Sequence, residues 1–319
     1  MKASVIIPVK NGGSRFREVV NAVQRQAAAW PFELLVIDSG SRDGSAEWAR
    51  DQGCRVEEIP ASDFGHGRTR NLGGHLSSGE FIVYLTHDAL PGHERWLQQL
   101  VEAAESAPDV GGAFGPHRGY PEARIATARE LEAHFAGFGD APNTVRIEDA
   151  DRYTAEVGYR QFLHFFSNNN SCLRRSVWEQ IPFPDVDFAE DQIWARSMLE
   201  AGFAKAFHPD AWVYHSHDFG VVETARRAFD ESRALHRLFG YVLVPSLRRL
   251  FAVWFYLVGR DWRWTFGAHL PIGKRLRQAA LVPALSAARL VGQYLGSREA
   301  VLPEWLARSV SRDKALQRG

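Results

Sequence analysis

The chain has 319 residues, of which 45% are hydrophobic and 24% are charged, and its 38 Lys and Arg residues balance 38 Asp and Glu residues. These proportions are typical of a globular protein and exclude a disordered, collagen-like or coiled-coil chain. Without a net basic charge, the composition indicates no nucleic-acid partner. Two cysteines provide no disulfide framework, which favours a reducing cytoplasm.

The first part of the chain alternates short apolar runs with amphipathic segments. These predict strands at residues 4–9, 33–38, 54–59 and 81–85, and helices at residues 15–29, 45–52 and 68–76. Repeated β–α units of this length predict an α/β fold with a doubly wound, mostly parallel sheet. Ligands of such sheets bind beyond the carboxyl ends of the strands, so the turns at residues 8–13, 38–44 and 86–92 are candidate functional segments.

The remaining chain changes from an irregular to a helical pattern. Its predicted elements are a loop at residues 136–151, strands at 167–173 and 212–215, a helix with an acidic start at 188–202, and helices at 221–239, 242–258, 273–295 and 303–316. No stretch reaches the roughly 18 apolar residues of a membrane span. We predict a first domain over residues 1–240 and a C-terminal helical region over residues 241–319.

Two clusters in the first half are candidates for binding an anionic ligand. Asp38 and Ser39 begin a glycine-containing turn, which also suits an ordinary turn followed by a helix N-cap. Arg68 and Arg70 follow two glycines at a predicted helix start, where backbone N–H groups and guanidinium groups can bind a diphosphate. A merely solvated basic first turn is the weaker interpretation, because cations there oppose the helix dipole.

Three further clusters carry carboxylates or imidazoles. Asp88 follows the fourth strand, where a hard cation that bridges phosphates would bind. His215 and His217 lie on the same side of a late strand if that strand continues, and histidines with a carboxylate suit a divalent metal. Each of these residues alone is also typical of an ordinary turn or surface position.

The adjacent acids Glu190 and Asp191 begin a predicted helix. Acids at this position stabilise a helix by about 0.3–1 kcal/mol, which is a sufficient structural reason for them. A carboxylate held at a helix start is also suited to act as a general base. We expect the positive end of the helix to keep Asp191 ionised near neutral pH.

In their order and spacing, these clusters resemble the inverting family 2 glycosyltransferases of the GT-A fold, and within them a bacterial rhamnosyltransferase-like group. The resemblance covers about residues 3–220. It is carried by VIIPVKNGG (5–13), VIDSGSRDGS (36–45), FGHGRTRNLG (64–73), YLTHDALP (84–91), FAEDQIWA (188–195) and VYHSH (213–217).

The resemblance implies a role for each matching residue. Asp191 would be the catalytic base with Glu190 in support, and Asp88 and His215 would bind Mn²⁺ or Mg²⁺, with His217 as the fallback ligand. Thr86 departs from the family, whose D-x-D metal motif has its first acid at that place. The implied contacts to the nucleotide-sugar donor are Pro8, Val9, Asn11, Asp38, Ser39, Arg68, Arg70, Asn71 and His87.

The implied reaction is the inverting, metal-dependent transfer of L-rhamnose from dTDP-β-L-rhamnose to a saccharide acceptor carried on a polyprenyl diphosphate. Its place would be bacterial cell-surface polysaccharide synthesis, such as that of O-antigen. The family's Q-x-x-R-W signature of processive synthases is missing, which favours one sugar per acceptor.

Two alternative functions stay open. A sugar nucleotidylyltransferase has a related glycine-rich loop but expects a lysine soon after it, whereas the next lysine after Lys10 is Lys205. A catalytically dead sugar-binding scaffold would not need the Glu190–Asp191 pair.

The C-terminal region is basic and rich in aromatic residues. Residues 241–319 carry 13 Lys and Arg against 4 Asp and Glu, together with many aromatic residues. Such a surface suits an anionic membrane, and predicts peripheral docking on the cytoplasmic face of the inner membrane. A helical packing domain or the interface of a homo-oligomer would bury the same residues, and this alternative is equally open.

Overall fold

The computed structural model describes residues 1–186 and 188–312. They form two compact units, of which the first comprises Met1–Tyr120 and Leu131–His215. The second combines Pro121–Glu130 with the chain from Ser216 onward. The sequence pattern predicts a boundary after residue 240, whereas the second unit also contains the helix at residues 221–239 and the short segment Pro121–Glu130.

The strands all lie in the first unit. They are β1 (Ala3–Val9), β2 (Phe32–Asp38), β3 (Arg55–Glu58), β4 (Phe81–Leu85), β5 (Leu90–Pro91), β6 (Val110–Phe114), β7 (His117–Arg118), β8 (Asn143–Val145), β9 (Asn170–Arg174), β10 (Ala204–Phe207) and β11 (Val213–Tyr214). Its helices are α1 (Gly13–Gln24), α2 (Ser45–Asp51), α3 (His66–Leu76), α4 (Trp96–Glu105), the later part of α5 (Ile125–Ala136), α6 (Ala150–Ala155), α7 (Val157–His164), α8 (Arg175–Gln180) and α9 (Glu190–Glu200).

Eight strands form one sheet in the order β3-β2-β1-β4-β9-β6-β10-β8. Strand β9 is antiparallel to both β4 and β6, and β8 is antiparallel to β10, whereas the other neighbours are parallel. The predicted α/β class with a mostly parallel sheet is confirmed. The antiparallel β9 places Asn170 beside Leu85, at the carboxyl end of β4.

Both faces of this sheet are covered, as the doubly wound prediction requires. Along β1, Val5 and Ile7 pack into one buried cluster, whereas Ile6 between them packs into another. Alternation along a strand sends successive side chains to opposite faces, so an uninterrupted apolar run is what a strand with helices on both sides needs.

A small second sheet positions two candidate metal ligands. Strand β11 pairs antiparallel with β5 and parallel with β7, and Tyr214 lies opposite Leu90. Because Asp88 lies two residues before β5 and His215 immediately follows β11, this pairing brings the two side chains to the same edge.

The second unit consists of helices and includes the first residues of α5. Its other helices are α10 (Val221–Phe239), α11 (Leu247–Gly267), α12 (Ile272–Gly296) and α13 (Glu304–Val310). Helices α10 and α12 approach closely at two glycines: a Cβ added to Gly292 or Gly296 would lie 2.3 Å from the carbonyl oxygen of Ala225 or Phe229, respectively. Small residues four apart let two helix backbones come this near.

Two differences from the predicted elements have local causes. Helix α11 begins five residues later than predicted, where the Ser246 hydroxyl accepts a hydrogen bond from the N–H of Arg249 and caps the helix. The predicted loop at residues 136–151 contains β8, which pairs with β10 although its three residues show no alternating pattern. The last predicted helix extends to residue 316, and its residues beyond 312 lie outside the described chain.

Within the part of the chain that the structure describes, no helix combines the length and the apolar content that crossing a membrane requires.

Candidate functional site

A cavity of 490 Å³ opens in the first unit, beyond the carboxyl ends of β1, β2 and β4. Segments remote in sequence line it: the turns after these strands, helix α3, residues 165–169 and the start of α9. The residues of the predicted site that line it are Pro8, Val9, Ser39, Arg70, His87, Asp88, Glu190 and Asp191. The structure therefore brings Glu190 and Asp191, Asp88 of the predicted metal cluster and part of the predicted nucleotide cluster to one cavity.

Asp38 lies next to this cavity at the end of β2. Its Oδ1 accepts hydrogen bonds from the N–H groups of Gly40 (2.9 Å) and Ser41 (2.8 Å), as in an ordinary turn. Its Oδ2 is buried and has no hydrogen-bond partner among the described residues. A buried carboxylate oxygen without a partner is costly, and the N–H or O–H group of a ligand would remove that cost.

Asn11 holds two turns together and does not line the cavity. Its Oδ1 accepts from the N–H of Arg42 at 2.8 Å, and its own N–H donates to the Ser41 hydroxyl at 2.8 Å. The residue has a left-handed backbone (φ 50°), which asparagine tolerates better than most residues. Its predicted contact to the nucleotide stays a prediction.

The two predicted diphosphate ligands, Arg68 and Arg70, both lie on α3 but in different surroundings. Arg70 is buried and lines the cavity, and its Nε has no partner among the described residues. Arg68 is exposed and lies 3.4 Å from Asp185, outside the cavity lining. Asn71 is also outside the lining, where its amide bonds the Trp178 indole and the backbone of residue 183.

Glu190 forms a buried ion pair with Arg70. The Arg70 Nη1 lies 2.7 Å from the Glu190 Oε1, and the two side chains are only 6% and 7% exposed. The Asn168 amide also donates to this oxygen at 3.3 Å. Ala189 before them has φ 59°, a left-handed conformation that costs energy outside glycine and that concentrates at functional sites.

Asp191 is held by backbone donors at the start of α9. Its Oδ2 accepts from the N–H of Asn168 at 3.1 Å, and its Oδ1 accepts from the N–H of Gln192 at 2.8 Å. Burial, and next the charge of Glu190, raise the pKa of the Asp191 carboxyl to about 7. The expectation that the helix start keeps Asp191 ionised near neutral pH was wrong, because desolvation outweighs the helix end and the two N–H donors. A carboxyl with a pKa near 7 is well matched to general base catalysis at neutral pH.

Two residues that order the segment beside the acidic pair were not identified from the sequence. Asn168 contacts both acids, and the signal for it was the run of three asparagines at residues 168–170 in an apolar segment. Lys205 is buried, and its Nζ donates to the carbonyl groups of Phe162 (2.6 Å) and Phe165 (2.7 Å) just before that run. Burial lowers the pKa of Lys205 well below its usual value.

Asp88 and His215 form the candidate metal centre. The Asp88 Oδ1 lies 3.6 Å from the His215 Nε2, and both side chains are partly buried. Metal bonds to such ligands are about 2.0–2.2 Å long, so two ligand atoms at this separation can share one ion. Thr86, in place of the family's first acid, lines the cavity with a buried hydroxyl that has no partner among the described residues. His217 belongs to the second unit, and its role as a ligand stays a prediction.

The fold and the site together define a glycosyltransferase of the GT-A type. Residues 4–179 match the sequence model of glycosyl transferase family 2, and the chain belongs to this family.

Similar proteins agree with this class. The chain is 32% identical to the O-antigen chain rhamnosyltransferase RfbN of Salmonella typhimurium, over 72% of this chain and 71% of RfbN. It is 31% identical to the O-antigen chain rhamnosyltransferase WbaN of Salmonella anatum, over 71% of this chain and 70% of WbaN.

Among solved structures, the mannosyltransferase PcManGT of Pyrobaculum calidifontis, in complex with GDP-Man and Mn²⁺, superposes with a TM-score of 0.57 at 16% identity, covering 90% of this chain and 85% of PcManGT. TarS 1–349 of S. aureus, in complex with UDP-GlcNAc, superposes with a TM-score of 0.52 at 17% identity, covering 94% of this chain and 92% of the TarS chain. At such identities these two likenesses show the shared fold alone.

Proposed function

We propose that this glycosyltransferase transfers one L-rhamnose from dTDP-β-L-rhamnose to a saccharide acceptor linked to polyprenyl diphosphate, with inversion, in bacterial cell-surface polysaccharide synthesis. The observation that carries the reaction type is the carboxyl of Asp191, which lines the cavity, accepts two backbone hydrogen bonds and has a pKa of about 7. The choice of sugar is supported by the likeness to two O-antigen chain rhamnosyltransferases.

In the proposed reaction, Asp191 removes the proton from the acceptor hydroxyl. That oxygen forms a bond to the anomeric carbon while the bond from this carbon to the diphosphate breaks. The proton ends on Asp191 and the electron pair leaves with the nucleoside diphosphate. A single displacement inverts the anomeric centre, so a β-linked donor gives an α-L-rhamnoside.

The remaining residues hold the reactants in place. The backbone donors to Asp191 fix the direction of its carboxylate, and the Arg70–Glu190 pair keeps the neighbouring charge balanced. Pro8, Val9 and Ser39 line the cavity, and the unpaired Oδ2 of the adjacent Asp38 suits a hydrogen bond from a nucleoside. Asp88 and His215 would hold a divalent cation. Such a cation stabilises the negative charge that develops on the leaving diphosphate.

The donor and the stereochemistry can be tested together. The full chain is incubated with Mn²⁺, a synthetic polyprenyl-diphosphate-linked saccharide and either dTDP-β-L-rhamnose, UDP-glucose or GDP-mannose, and the product is analysed by NMR. We expect a product only with dTDP-β-L-rhamnose and with the α configuration. Transfer from another donor alone would reject rhamnose, and a β-L-rhamnoside would reject inversion.

The proposal includes docking on an anionic membrane through α11. Phe251 and Phe255, one turn apart, are 58% and 68% exposed, and the exposed Arg248 and Arg249 begin the same helix. Exposed aromatic rings beside arginines suit the head-group region of anionic lipids.

Vesicle sedimentation of the full chain tests this docking. We expect binding to phosphatidylglycerol vesicles but not to phosphatidylcholine vesicles, and loss of binding in the Phe251→Ser/Phe255→Ser variant. Trp305→Ser, which removes an aromatic residue 71% exposed on α13, is the matched control. If the double variant binds vesicles normally but changes from dimer to monomer in size-exclusion chromatography, the face is an interface between copies instead.

A further inference from the structure

A second cavity, of 210 Å³, lies wholly within the second unit, among α10, α11, α12 and the start of α5. It mixes carboxylates, guanidinium groups, hydroxyls and an amide with an apolar wall of Leu257, Val282 and Leu285. Its volume is below the ~300–1,000 Å³ of pockets for drug-sized ligands, so its occupant is small.

The charges around this cavity balance. The lining contains three arginines and three acids: Arg124, Arg227, Arg289, Glu130, Glu231 and Asp261. Most of them are already paired: Arg289 with Glu130, Arg227 with Glu223 at 3.1 Å, and Asp261 with Arg260 at 2.8 Å. An anionic ligand needs an excess of cations and a metal ion needs an excess of carboxylates, so the lining favours an uncharged ligand.

Three polar groups of the lining keep unused hydrogen-bonding capacity. The Thr265 side chain is 1% exposed, and its hydroxyl has no partner among the described residues. Glu231 lines the cavity and is exposed, and its carboxylate makes no hydrogen bond or ion pair among the described residues. When ionised, it can only accept a hydrogen bond. The Gln278 Oε1 accepts from the N–H of Ile125 at 3.1 Å, which leaves its NH₂ group to donate to a ligand. A buried hydroxyl without a partner is unfavourable, so a ligand that pairs with it binds more tightly.

A sugar ring has the complementary chemistry. Its hydroxyl groups both donate and accept, so one can donate to Glu231 while another accepts from Gln278 or pairs with Thr265. Its C–H groups can pack against the apolar wall. We propose that this cavity binds one neutral pyranose ring of the acceptor saccharide. That the ring belongs to the acceptor rests on the proposed function, but the binding of a sugar to this cavity can be measured without any transfer.

The experiment is saturation-transfer-difference NMR on the full chain without donor. The probes are the methyl glycosides of α-L-rhamnose, α-D-mannose and β-D-galactose, with methyl β-D-glucuronide as the charged comparison. We expect at least one neutral glycoside to bind and the glucuronide not to bind. Glu231→Gln and Thr265→Val should each weaken that binding at least fivefold, whereas Glu304→Gln, an exposed change on α13, should not. Thermal unfolding of each variant verifies that it is folded.

Asp191→Asn distinguishes this cavity from the one in the first unit. Binding that persists in Asp191→Asn but is weakened in Thr265→Val supports the second cavity, even if the protein transfers no rhamnose. The proposal is overturned if none of the neutral glycosides binds, if both cavity variants bind as well as the wild type, or if binding is lost in Asp191→Asn alone.

Discussion

The main-chain N–H of Asn168 donates to Oδ2 of Asp191 across 3.1 Å, and so connects the segment before β9 with the first turn of α9. The side chain of the same asparagine reaches Glu190. One residue thus orients both acids, although they follow it by more than 20 positions in the chain. Backbone donors cannot turn away, which keeps the direction of the proposed base constant.

We expect Asp191→Asn to lower kcat by about 10²–10⁴-fold, the usual contribution of a general base, because the amide cannot take up the proton. The affinity for dTDP-rhamnose, measured by calorimetry, should change little. Asp185→Asn removes an exposed carboxylate that precedes α9 in the chain and lies near Arg68 of α3, and it should retain full activity. Undiminished transfer by the Asp191 variant would eliminate this residue as the base.

The pH profile should report the raised pKa of Asp191. The base must be ionised, so kcat/KM should be constant well above pH 7 and fall about tenfold per unit well below it. Glu190→Gln removes a charge that raises this pKa and leaves the Arg70 charge uncompensated. Both effects favour the ionised form, so the midpoint should move to lower pH. A midpoint that moves upward would show that Glu190 does not act on Asp191 in this way.

The affinity for a divalent metal ion should depend on Asp88 and His215. Asp88→Asn and His215→Ala should each weaken the binding of Mn²⁺, followed by electron paramagnetic resonance, at least tenfold, because each removes one of two ligands that lie together. Asp140→Asn, at an exposed bend, is the matched control. Unchanged Mn²⁺ affinity in both ligand variants would place the ion elsewhere.

Breaking the buried Arg70–Glu190 pair should destabilise the fold. Arg70→Met leaves a buried carboxylate without its partner, which typically costs about 3–5 kcal/mol. The double variant Arg70→Met/Glu190→Met removes both charges and should recover much of the free energy of unfolding, measured by urea denaturation. A double variant that is less stable than Arg70→Met would mean that the pair itself, rather than its charge balance, holds α3 to α9.

The close contact between α10 and α12 can be tested by comparing a Gly→Ala substitution at two positions of α12. Gly292→Ala should lower the free energy of unfolding by about 1–3 kcal/mol, because its methyl group meets a backbone carbonyl of α10. Gly273→Ala, in the first turn of the same helix, has open space and should stabilise by up to about 1 kcal/mol through helix propensity. Equal effects at the two positions, measured by thermal unfolding, would contradict the close approach.

Much of the fold was predictable because local patterns encode it. The strands β1, β2 and β4 are largely apolar runs that end in polar turns. Helix α10 was predicted at its observed bounds because its apolar residues recur at helical spacing. In contrast, β8 and β10 are short strands whose pairing depends on partners that are distant in the chain. Their own residues carry no such pattern.

The candidate site was likewise predictable only in part. The positions of Asp38, Asp88 and Asp191 at the ends of strands or the start of a helix followed from the sequence alone, because periodicity determines where an element stops. Only the tertiary structure decided that Arg70 pairs with Glu190, 120 residues away, and that Arg68 does not share the cavity. It also decided the pKa of Asp191. Burial, charge pairing and desolvation depend on which atoms surround a group in space, and neighbours along the chain do not specify them.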